Sequence, residues 1–120
     1  MALSCWYKRL KDILIYNIHY APNYPYEDYT NLYKEFGQIE EYLDNVKNGV
    51  KSDYKITQLN FAKVKIKDAF LKYESGNNGR VLLEEALRYV EDSKRAKPPA
   101  TNFIAGSNGI VKLNKESENE

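Results

Sequence analysis

The residues with catalytic potential in this chain are few: one cysteine, Cys5, one histidine, His19, and acidic doublets at Glu40/Glu41 and Glu84/Glu85. A thiolate beside an imidazole makes a nucleophile, but on one helix these two residues would stand about 21 Å apart at about 1.5 Å per residue. Neighbouring acids diverge by about 100° round a helix, so neither doublet aims two carboxylates at one point. A single histidine excludes the two-histidine helical zinc site and the zinc finger. GNNG and GSNG are turns, with no lysine placed as a phosphate-cradling loop requires. The expectation is a non-enzymatic protein with no cofactor and no metal; a small enzyme with a pocket round Glu40 is an alternative.

The stretch HYAPNYPYEDY, residues 19–29, gathers the histidine, two of four prolines and four of eleven tyrosines. Tyr24 and Tyr26 flank Pro25, whose ring stiffens the backbone outside any helix. Rigid aromatics held at low entropic cost are what protein interfaces use as anchors. Glu27 and Asp28 suit a helix start and would repel phosphates. Tyr20, Tyr24, Pro25, Tyr26, Glu27 and Asp28 are therefore the candidate partner-binding residues. His19 falls opposite the apolar arc of its helix and reads as an exposed histidine at a helix end.

These residues must be positioned by helices. Apolar residues at 3, 6, 7, 10, 13, 14 and 18 keep helical spacing and predict a helix over 3–20. Tyr29, Leu32, Tyr33, Phe36, Ile39, Leu43 and Val46 predict a second over 27–47, with the glycine of Asn48-Gly49 supplying a left-handed terminator. Over 53–74 the run Lys63, Val64, Lys65, Ile66, Lys67 alternates as a strand would. Ile56, Leu59, Ala62, Ile66, Ala69, Phe70 and Tyr73 nevertheless share one helical arc, which predicts a third helix. After the turn ESGNNG, Leu82, Leu83, Ala86, Leu87 and Val90 predict a fourth over 80–96, stopped by Lys97-Pro98-Pro99.

Short connections between amphipathic helices point to an all-α fold, an antiparallel up-and-down four-helix bundle over residues 1–96. Residues 97–120 read as a C-terminal tail, disordered or folded into a small β-hairpin round GSNG.

Two polar residues fall on apolar arcs: Asn17, about 20° from Trp6, and Glu40, between Tyr29 and Tyr33. A hairpin turning at residues 50 and 51 sets position 40 opposite 61 or 62. The expected buried polar set is thus Asn17, Glu40 and Lys63, with a Glu40 to Lys63 pair and Asn17 near Tyr29. Their expected role is to fix helix register. Tyr7, Tyr29, Tyr33, Tyr42 and Tyr73 read as core-edge residues whose hydroxyls reach water.

Residues 27–46 carry six acids against Lys34, and residues 47–72 carry seven lysines against Asp53 and Asp68. Two neighbouring helices neutralising each other is the preferred explanation. A nucleic-acid-binding accessory subunit using Lys63, Lys65, Lys67 and Lys72 is the runner-up, weakened by lysines scattered round the helix. The formal charge of +1 supplies no global field, and fourteen lysines against four arginines disfavour a dedicated DNA reader.

One cysteine, no apolar run of membrane length and no visible leader predict a cytoplasmic chain without membrane contact. The expected partner is another protein, gripped through the Tyr/Pro corner and the acidic second helix in the manner of an inhibitor, immunity factor, adaptor or assembly subunit, and the tyrosine-rich surface would also suit a homodimer. Size and asparagine content fit a phage or mobile-element protein.

Overall fold

Four amphipathic stretches become four helices, and among the described residues no strand forms: α1 (Leu3–Tyr20), α2 (Tyr29–Gly49), α3 (Asp53–Glu74) and α4 (Arg80–Ser93). The computed structural model describes residues 1–20 and 29–95. The tail and the Tyr24-Pro25-Tyr26 corner with Glu27 and Asp28 lie outside the described residues.

Local chemistry sets the ends. Ser52 caps α3, its Oγ accepting from the Lys55 amide at 3.4 Å. Beyond Glu74 the chain reverses through Gly76, whose φ of 84° a side chain would strain. Asn78 Oδ1 then accepts from the Arg80 amide at 2.8 Å and starts α4. Gly79 sits so close to α3 that a Cβ there would lie 2.7 Å from the Ala69 carbonyl oxygen.

Two expected endings are corrected. Gly49 is the last residue of α2 and not a left-handed terminator; its bare Cα faces the Leu3 side chain, 2.8 Å from where a Cβ would stand. α4 ends at Ser93, short of 96, because its hydroxyl turns back onto the Val90 carbonyl at 2.6 Å and competes with further helix.

α1 packs on α2 and α4, and α3 packs on the same two, so each helix touches two neighbours round a ring. The pairings run in opposite senses: Tyr33 meets Phe70 while Asp44 meets Lys63, and Phe61 meets Tyr89 while Lys65 meets Glu85. The α1–α4 seam closes the ring through Tyr7, whose hydroxyl lies 3.0 Å from Ser93 Oγ.

The core is the predicted arcs joined: Leu10, Leu14, Leu32, Ile39, Leu43, Val46, Leu59, Ile66, Leu83 and Val90 are fully buried. Burying each such side chain stabilises by about 1.5–3 kcal/mol against leaving it in water. Tyr7 and Tyr73 depart from expectation by entering this core, because each hydroxyl finds a partner there, Ser93 and Asn78 respectively.

Candidate functional site

Burial and ion pairing sort the candidate residues. Asn17 is buried at the α1–α2 seam, its amide donating to the Ile13 carbonyl at 2.9 Å and to Glu35 Oε1 at 3.1 Å. Glu35 is thus one partner of Asn17, reached straight across the seam to the next helix. Glu40 is half-buried and pairs with Lys67 at 3.3 Å, not with Lys63, which pairs instead with Asp44 at 3.5 Å. The expected pair misses by about one helical turn. Residues 50–52 form a real connection ahead of the Ser52 cap, so the hairpin pivots later than simple folding-back assumes.

Lys65 is likewise engaged, 3.0 Å from Glu85 of α4, and Lys72 is exposed in the last turn of α3. The acidic α2 and basic α3 thus meet through Asp44–Lys63 and Glu40–Lys67, and α4 takes Lys65. Pairs of this exposure are worth at most a few tenths to about 1 kcal/mol, so they cancel field more than they hold the fold.

Where α1 closes and α2 begins, two pairs of aromatic rings stand exposed. Tyr20 is 75% exposed, with its ring 5.1 Å from Tyr16 and 6.4 Å from His19, which is itself exposed. Tyr29 and Tyr33 are each 51% exposed and stack at 6.3 Å. Tyr33 continues inward to Phe70 at 5.7 Å, Phe70 to Phe36 at 5.5 Å, and Phe36 to the buried Tyr73 at 6.1 Å. The ladder ties surface rings to the core through contacts worth about 0.5–1.5 kcal/mol each beyond area burial.

Both outer hydroxyls are also anchored. Tyr33 donates to Glu74 Oε2 at 2.9 Å and Tyr29 to the Glu74 carbonyl at 3.4 Å. The bond to the Glu74 carboxylate, and that charge itself, raise the Tyr33 phenol above its ordinary pKa and keep it a donor.

Below Tyr33, a groove of about 380 Å³ runs between α2 and α3. Phe36 and Phe70 form its apolar wall, Leu71 its lip, and the Glu40–Lys67 pair its polar end. Gly37 opens it: nothing lies within 4 Å of where its Cβ would be. Sequence reasoning missed Tyr33, Gly37, Phe70 and Glu74 as surface features. A glycine inside a strong helical pattern was the available signal, since it costs about 0.5–1 kcal/mol against alanine.

Among the described residues no group of three or more His, Cys, Asp or Glu could hold a metal ion, and no helix is long and apolar enough to cross a membrane. No protein-family model, curated protein or solved structure matches the chain.

Proposed function

We propose that this chain is a non-enzymatic protein-binding protein, an antiparallel up-and-down helical bundle that grips its partner through the aromatic end of α1 and α2. The observation that carries this reading is the pair Tyr29 and Tyr33: half exposed, yet stacked on each other and tied by their hydroxyls to Glu74. Rings already held in place lose little entropy on binding, which is the property of an interface anchor. Tyr16 and Tyr20 form a second exposed ring pair on α1, and the groove at Gly37 offers a socket for one or two large apolar side chains.

The lysine alternative has less support, because Lys63, Lys65 and Lys67 each already meet a carboxylate. An acid-catalytic reading of Glu40 has little too, since Lys67 occupies its carboxylate.

The test is affinity purification of the tagged chain from its native host, with and without nuclease, beside a Tyr29→Ala, Tyr33→Ala variant of matched helical content. Expected is a partner protein retained after nuclease and at 0.5 M salt, and depleted at least tenfold by the variant. Capture that disappears with nuclease, or that the variant leaves intact, overturns the proposal.

A further inference from the structure

Among the described residues, Gly37 is the one glycine whose missing side chain nothing inside the bundle explains. Gly76 has a φ of 84°, Gly49 makes room for the Leu3 side chain, and Gly79 lies against the Ala69 carbonyl. Gly37 has no positive φ and nothing within 4 Å of where its Cβ would stand. It nevertheless lies in the interior of α2, where glycine costs helix stability. Its effect is outward: it leaves the groove between α2 and α3 open to a side chain from another molecule.

We infer that the groove receives one neutral aromatic side chain whose rim carries a hydroxyl or a ring N–H, a tyrosine or tryptophan of the partner, donating a hydrogen bond to Glu40. The inference rests on the reading of this face as a partner-binding surface and names the group that the face selects.

Size and shape favour a ring. A volume of about 380 Å³ lies at the low end of pockets that hold small organic groups and suits a single large side chain. Its wall is aromatic: Tyr33 to Phe70 and Phe70 to Phe36 are 5.7 and 5.5 Å apart, with tilts of 42° and 58°. Rings tilted in this way show both faces and edges, the two surfaces on which an incoming ring packs.

Charge chooses among rings. Glu40 and Lys67 stand 3.3 Å apart, so the polar end of the groove is neutral as a pair and attracts neither a cation nor an anion strongly. Their side chains are 38% and 57% exposed, and a ring laid over them removes part of their water. The Glu40 carboxylate has more acceptor sites than one ammonium fills. A phenyl or leucyl group leaves those sites short of donors, whereas a hydroxyl or ring N–H supplies one.

The test is a titration of the full chain, followed by amide NMR shifts at Gly37 and Phe70. The probes are the N-acetyl amides of tyrosine, tryptophan, phenylalanine and leucine, taken to about 20 mM because single side chains of this size bind at about 1 mM. Expected are saturable shifts with the tyrosine or tryptophan amide, at an affinity at least about threefold above that of the phenylalanine and leucine amides. Gly37→Leu fills the groove with a good helix former and should abolish the shifts while helical content and melting are retained. Glu40→Ala should erase the preference over phenylalanine, and Glu40→Gln, which keeps an acceptor, should preserve it. A merely structural role of Glu40 would not move that ratio. Shifts absent with all four amides, equal affinity for the tyrosine, tryptophan and phenylalanine amides, or shifts that survive Gly37→Leu overturn the inference. None of these readouts uses partner capture by the Tyr29→Ala, Tyr33→Ala variant, so failure of the groove and failure of the partner-binding reading are told apart.

Discussion

Tyr7 joins the first helix to the last. Its ring is buried, and its hydroxyl reaches Ser93 Oγ at 3.0 Å and the Ser93 carbonyl at 3.3 Å. Tyr7→Phe should therefore cost about 1 kcal/mol, the net worth of a buried hydrogen bond, read as a lower midpoint in denaturant. The same residue sets a response to alkali. Burial, opposed in part by the Ser93 hydrogen bond, raises the Tyr7 phenol above its ordinary 10.0, and burial raises Tyr73 likewise. Unfolded phenols release their protons near pH 10 while these folded ones retain them. The stabilisation is thus fully present below about pH 10 and is lost as the pH climbs through the folded values. Tyr7→Phe should flatten that alkaline decline, measured by denaturant titrations from pH 8 to 11.

Asn17 shows how much a residue type by itself allowed. Its place on the apolar arc of α1 made burial legible, because arc position is a property of helical period alone. The hydrogen bond to Glu35 was not legible: Glu35 looks like any surface acid until α1 and α2 are docked.

Helices were the most legible level. The boundaries of α1 and α3 agree with those read from apolar spacing, and the buried positions of all four follow the expected arcs. The strand-like alternation round residue 64 has a cause in α3: Val64 points to water while Ile66 is buried, so apolar residues fall on two faces and blur the period. In α2, the glycine at position 37 costs helix stability where no packing demands it. Gly37→Ala should raise stability by about 0.5–1 kcal/mol in thermal or denaturant unfolding, since its methyl meets open space. Gly79→Ala should do the reverse, because its methyl would meet the Ala69 carbonyl oxygen.

At the scale of the whole molecule, each helix is amphipathic and rests on two others, so none has a buried face of its own to keep if a neighbour leaves. Unfolding should be a single cooperative event. Leu43→Ala, at a fully buried site of α2, should cost about 2–5 kcal/mol, with helical circular dichroism and tyrosine fluorescence lost together. Separate transitions for the two signals would contradict the ring of mutual support.

The period of the apolar residues determined that this chain is helical, where its helices run and which faces they bury, because those follow from 3.6 residues per turn and the cost of wetting apolar surface. Only docking decided which charges cancel, which tyrosines enter the core and which stay outside pinned to Glu74. Those outcomes depend on where one helix stands along another, and a displacement of one turn, about 5.4 Å, exchanges every partner. The Glu40 carboxylate measures that displacement: it meets Lys67 and leaves Lys63 to Asp44.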